Sequence, residues 1–219
     1  MIDDLAARLA AIDVSCLCDA DRSIRVLDPA IRPVSPGLKM AGIACTVSCR
    51  NDFLGVIEAL RSARPGDVLV VDAGAARLAV AGELFATEAR RKGLAGLVVD
   101  GAVRDVATIR ALGFPVYART IHPAAGTAAV LQQGQQPIHC GGVEIFPGDV
   151  LVGDDDGVVV MGEAELRALL PAAEAIQASE SVALARMAAG QSLFDLTNVD
   201  EHLAALREGR ASRLRFNTP

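Results

Sequence analysis

Aromatic residues make up only 3% of this 219-residue sequence, and no cluster of basic residues is interleaved with them. Together with a net charge of -6, this leaves no electrostatic and stacking surface for a polyanion, so no nucleic acid is expected as a partner. No apolar run approaches the roughly 20 residues needed to span a bilayer. Met1 is followed by Ile2, Asp3 and Asp4, which is neither a basic n-region nor an apolar h-region. The expectation is a cytoplasmic protein with no membrane partner.

Cysteine is present but unpatterned. Cys16, Cys18, Cys45, Cys49 and Cys140 are odd in number and contain no C-x-x-C pair. That excludes a disulfide framework and a structural zinc site, and leaves reduced thiols acting as small hydrophobes. His122, His139 and His202 lie far apart with no H-x-x-x-H among them, so a histidine zinc site is not expected either. Any metal here would be held by oxygen.

What the sequence does have is apolar content: 52% hydrophobic against 22% charged. A chain of this length buries a proper core and suits one domain with terminal embellishments. Residues 3–12 read as a short amphipathic helix, and 20–40 as a loop, with Pro29, Pro33 and Pro36 close together. A strand is expected over 41–49, then a helix over 52–63 with Asp52 as a possible N-cap. Strands follow over 67–72, 96–100 and 115–118, with helices near 83–92 and 105–112 that Gly93 and Gly113 should stop. Because these strands are continuous apolar runs, they predict parallel pairing with both faces covered. Functional groups should then collect beyond their carboxyl ends.

Residues 141–162 read as three short strands forming a second, smaller sheet, with Asp154, Asp155, Asp156 and Gly157 as a hairpin turn. From Glu163 to about Gly190 the chain reads as helix with a kink or break at Pro171, and 198–209 as a last helix.

The segment "VVDGAVRDV" (98–106) puts Asp100, Arg104 and Asp105 just where an apolar strand ends. One account is structural: Asp105 caps the following helix, where exposed amides favour an anion, and Arg104 pairs with a nearby acid. Asp72 and Asp100 could orient Arg104 or cap. His122 could serve as an acid or base, or be a loop histidine with no chemical task. The other account is chemical. "AGELFATEAR" opens the preceding helix, so the amides of Glu83, Leu84 and Phe85 beside Gly82 make a carboxylate cradle. Two helix starts would then converge with Glu83, Arg104 and Asp105 on one crevice.

An acid, twenty intervening residues, then Arg-Asp resembles the signature of the RraA-like family, which includes class II pyruvate aldolases and a regulator of ribonuclease activity. "AGIACTV", "PGDVLVVD", "GLVVDGAVRD", "GFPVYAR" and "PGDVLVGDDDGVVV" occur in the family's order. The resemblance implies an α/β fold of the swivelling β/β/α type (an α-β-β-α sandwich) with a mixed central sheet and C-terminal helices. It implies one domain over 1–219, with a core of about 36–190 and a helical extension of about 163–210. It further implies a homotrimer or homohexamer with the crevice between subunits.

By the same resemblance the chain is a divalent-metal-dependent lyase that cleaves a 4-hydroxy-2-keto acid to pyruvate, with oxaloacetate decarboxylation by the same route. Asp105 would be the direct ligand of Mg2+ (or Mn2+), and Glu83 would act through metal-bound water. Glu83 departs from the Asp often found there. Arg104 would steady the keto or enolate oxygen, while Gly82, Glu83, Leu84 and Phe85 bind the carboxylate. Glu180, in "ASES", would reach the metal waters from a neighbouring subunit. Lys39 and Lys92 are the only lysines and neither lies in this motif, so no Schiff base is needed. The alternatives are a non-catalytic protein-binding regulator and a methyltransferase, though no G-x-G-x-x-G follows a strand.

Overall fold

The computed structural model describes residues 2–216. The chain opens with α1 (Ile2–Ala11) and α2 (Val14–Ala20), then two short strands, β1 (Arg25–Val26) and β2 (Arg32–Pro33). β3 (Met40–Ser48), α3 (Leu54–Ser62), β4 (Asp67–Asp72), β5 (Ala79–Ala81), α4 (Glu83–Arg91) and β6 (Gly96–Val103) follow. Next come α5 (Val106–Leu112), β7 (Val116–Ile121), β8 (Ile138–Cys140) and β9 (Val143–Ile145). β10 (Val150–Gly153), β11 (Val158–Met161), α6 (Glu163–Ala188) and α7 (Val199–Arg207) complete it.

Nine strands form one mixed sheet in the order β1-β11-β10-β3-β4-β6-β7-β2, with β5 also on β6. The central β3, β4, β6 and β7 are parallel. Their runs are buried on both sides, as in "DVLVVD" and "GLVVDGAV". Alternation along each strand shows what covers each face. Leu69, Val71, Leu97, Val99 and Val116 face the core shared with α3, α4 and α5. Val68, Val70, Val98, Tyr117 and Leu151 face the other way, onto Ile138, Cys140 and Ile145 of the two-stranded β8-β9 sheet.

On β10 and β11, Val150, Val152, Val159 and Met161 pack against α1, α2 and α6. Through the β10-β3 register, Val150 aligns with Ile43 and Val152 with Ala41. These helices therefore lie on the same side as α3 to α5. The fold is α/β with a mixed central sheet, as expected, in three layers: helices, the mixed sheet and a small second sheet. Each fully buried valine or leucine in these layers contributes roughly 1.5–3 kcal/mol relative to exposure.

Four expectations need correction. Of the three strands expected over 141–162, only β9 belongs to a second sheet, pairing with an unanticipated β8. β10 and β11 instead join the main sheet antiparallel, because "VLVG" and "VVVM" are buried at every position and need cover on both faces. Pro171 does not break its helix, since α6 runs 26 residues through it. Pro171 is exposed, so the carbonyl deprived of its partner one turn earlier can turn to water. The 20–40 stretch contributes two edge strands, β1 to β11 and β2 to β7. The expected 96–100 strand continues to Val103.

Other expectations hold. Gly113 is left-handed at the end of α5 and Gly93 has φ 74° just past α4, while Asp154 to Gly157 join β10 to β11 as a tight turn. No disulfide forms among the described residues: all five cysteines are free and four are buried. Burial pushes the Cys45 thiol up to about 11 and the Cys49 thiol up to about 12, so both behave as inert hydrophobes.

Candidate active site

The site is built by β5, three residues long. β4 pairs with β6 only as far as Asp100, and β5 re-enters the same slot further along, aligning Ala79 with Ala102 and Ala81 with Val103. The turn between them packs on Gly101, where a Cβ would fall 2.6 Å from the Cβ of Ala73. The start of α4 thereby lands beside the end of β6, and the Arg104 amide donates to the Ala81 carbonyl at 3.1 Å.

Asp105 precedes α5 in the left-handed conformation, φ 59° and ψ 38°, which aspartate tolerates better than most residues. It does not cap its own helix. Instead its Oδ2 accepts the amide of Glu83, the first residue of α4, at 3.3 Å, and lies 3.4 Å from Nε of Arg104. Gly82 makes this approach possible, because a Cβ there would sit 2.5 Å from the same Oδ2. Since Asp105 takes the Glu83 amide, the cradle narrows to Leu84 and Phe85, whose N–H groups have no intrahelical acceptor.

Gly82, Leu84, Phe85, Arg104 and Asp105 line one cleft of about 120 Å³, together with Phe53, Ala79, Val80, Ala81 and Ala125. The Phe53 and Phe85 rings meet edge to face at 5.8 Å. A loop after β7 straps across the strand ends: the His122 amide donates to the Val103 carbonyl and Ala79 donates to Ala124. Asp52 pins this strap. Its buried carboxylate accepts the Thr127 hydroxyl at 2.8 Å and the Ala129 and Val130 amides at 2.7 and 3.2 Å, besides capping α3 at the Leu54 amide. These bonds, the Ala129 amide foremost, hold the Asp52 carboxyl below the usual carboxylate range.

Several marked residues lie elsewhere. Asp100 does not orient Arg104. Its side chain faces the small sheet, where it bonds Arg119 and accepts the Gly141 amide at 2.7 Å. Arg119 also reaches Asp28 at 3.0 Å. Asp72 likewise serves locally, accepting the Gly74 amide and the Ser48 hydroxyl. The His122 ring accepts the Ala124 amide at 3.2 Å, within the strap. Glu180 accepts the Cys16 thiol at 3.5 Å, between α6 and α2. Burial and then the Glu180 charge push that thiol up to about 11.

Among the described residues no group of three or more His, Cys, Asp or Glu could cage a metal. At the cleft the donor set is sparse: Asp105 Oδ2 is engaged, and Oδ1 carries no hydrogen bond among the described residues. One free carboxylate oxygen fits a hard cation such as Mg2+, which keeps several waters and takes one or two carboxylates with substrate oxygens.

Comparison with known proteins bears on what such a site belongs to. A protein of Halalkalibacterium halodurans named "Putative 4-hydroxy-4-methyl-2-oxoglutarate aldolase" is 37% identical over 179 residues, 81% of this chain and 85% of its own. The solved structure of the RNA-processing inhibitor RraA from Thermus thermophilis matches with a TM-score of 0.64 at 30% identity, covering 69% of this chain and 93% of that one. An uncharacterized protein from Pseudomonas syringae pv. tomato matches at 0.79 and 25% identity, covering 88% and 96%. The family model described as RraA-like, Aldolase/RraA, matches residues 14–160, and the chain belongs to that family.

Proposed function

We propose that the chain is a divalent-metal-dependent lyase that cleaves a 4-hydroxy-2-keto acid to pyruvate by retro-aldol chemistry, and decarboxylates oxaloacetate by the same route. The observation that carries this reading is the convergence of Arg104, Asp105 and the free amides of α4 on one cleft. The aldolase name of the H. halodurans relative supports it. Asp105 would hold Mg2+ or Mn2+ through its free oxygen, with Glu83, and Glu180 of a neighbouring subunit, acting through water. When bound, the cation supplies fixed positive charge that polarises the substrate's keto group.

The remaining work falls to the chain itself. The Leu84 and Phe85 amides bind the substrate carboxylate at the positive end of α4. The bond between C3 and C4 breaks and its electron pair passes to the three-carbon fragment as the pyruvate enolate; the C4 hydroxyl gives its proton to water as C4 becomes a carbonyl, and the enolate takes a proton at C3 to leave as pyruvate. Arg104 places a guanidinium where the resulting oxyanion develops, which stabilises the transition state more than the ground state. The apolar wall of Phe53 and Phe85 limits water at the reacting centre. This reading carries with it a trimer or hexamer whose crevices lie between subunits.

The test is a screen of several 4-hydroxy-2-keto acids and oxaloacetate for pyruvate release, with and without magnesium. Magnesium-dependent release is expected. No release from any of them, together with capture of a ribonuclease by the purified protein, would favour the regulator reading that the T. thermophilis neighbour brings to mind.

A further inference from the structure

We infer that Asp52 is a positioning residue of the cleft. It locks the strap to the start of α3, so that Phe53 and Ala125 form one fixed side of the cleft and limit the bulk admitted at the substrate's C4. The inference rests on the lyase reading given above, and the side it concerns belongs to one chain whichever copy completes the crevice.

Phe53 and Ala125 line the same cleft as Arg104 and Asp105, but regular structure holds neither of them. Phe53 stands just ahead of α3, and Ala125 lies in residues 122–137, which hold no helix or strand. A connection of that length in a compact domain is commonly functional. Backbone bonds lay the strap along the strand ends: Gly126 donates to Ala79 at 2.9 Å, Thr127 donates to Asn51 at 2.8 Å, and Phe53 donates to Thr127 at 2.7 Å.

Asp52 completes the junction by dividing its oxygens. Oδ1 accepts the Leu54 amide of α3 at 3.0 Å, while Oδ2 accepts the Thr127 hydroxyl and the Ala129 and Val130 amides. A helix cap requires only the first of these bonds, and a surface serine would supply it. Asp52 is instead 2% exposed, and a buried carboxylate is costly unless its oxygens are bonded. The three strap bonds account for a charge in that place. Because every partner donates, an ionised carboxylate satisfies them all. Asparagine does not: turned either way, its NH2 group faces an N–H.

The test is the ratio of kcat/KM for two 4-hydroxy-2-keto acids that differ by one methyl group at C4. A loss of folded molecules lowers both values alike and leaves the ratio unmoved, so the ratio separates positioning from stability. Asp52→Asn should move it about tenfold toward the methyl-bearing acid, the scale of one methyl group in an apolar pocket. Thr127→Val removes one of the four bonds at an exposed position. It should move the ratio in the same direction, and it decides the matter if Asp52→Asn does not fold. Thr127→Ser keeps the hydroxyl and should keep the wild-type ratio. A wild-type ratio in Asp52→Asn and Thr127→Val, with cleavage persisting, overturns the inference and leaves the lyase reading standing. If the wild-type protein cleaves neither acid, the lyase reading falls and the inference falls with it.

Discussion

Asp105 and Glu83 are 22 positions apart in sequence, yet the carboxylate of one caps the helix that the other begins, at 3.3 Å. One contact thus joins the ends of two neighbouring parallel elements, and the geometry of the cleft depends on it. Asp105 is held from outside its own helix, in a left-handed conformation, with a single oxygen left to act.

Gly82→Ala should disturb this contact directly. The added methyl would sit 2.5 Å from Asp105 Oδ2, so the carboxylate must move. Pyruvate release should fall about a hundredfold, as expected for a misplacement of about 1 Å, while stability drops by only about 1–3 kcal/mol. Steady-state kinetics beside thermal unfolding separate the two.

The acids of the "VVDGAVRDV" segment should divide by role. Asp100→Ala leaves the Gly141 amide without its acceptor and Arg119 with Asp28 alone, at a cost of about 1–3 kcal/mol. Asp105→Ala should cost little stability and lower turnover about 10²–10³-fold. Denaturant midpoints and activities measured on both variants check this division.

Much of this was legible in advance. Continuous apolar runs identified the parallel strands, and glycine spacing the helix ends. The division between Asp100 and Asp105 was also available: Asp100 shares its side of β6 with Val98, and that period of two points it at the small sheet. β5 was not legible, since "AVA" is too short for any periodicity and is a strand only because β6 outruns β4. Nor was the strap anchor. Asp52 shows its helix cap locally, but its bond to Thr127 spans 75 positions. Small alanines such as Ala79 and Ala125 line the cleft through backbone position, which leaves no mark in composition.

The anchor carries a pH dependence. Asp52 titrates below its ordinary value when folded, so the unfolded chain binds the proton more readily. Its stabilising contribution is complete above about pH 4 and is lost as pH falls through the lowered folded value. Wild-type protein should be more stable than Asp52→Asn at neutral pH, and the gap should close on acidification through and below the ordinary carboxylate range. Unfolding curves at a series of pH values measure this.

Glu180 provides a test of assembly. If it serves a neighbouring crevice, Glu180→Gln and Asp105→Ala should each be impaired alone. Refolded together, they should regain activity in mixed oligomers whose intact halves meet. No recovery in mixtures shown to co-assemble would confine Glu180 to its contact with Cys16.

The most direct measurement is the magnesium dependence of pyruvate release by the wild-type protein, Arg104→Ala, Asp105→Ala and the double variant. Each single change should lower kcat about 10²–10³-fold. The double variant should fall little further, because both groups act on one developing charge. Turnover at the wild-type level in both single variants, or release indifferent to magnesium and to chelators, would contradict the account.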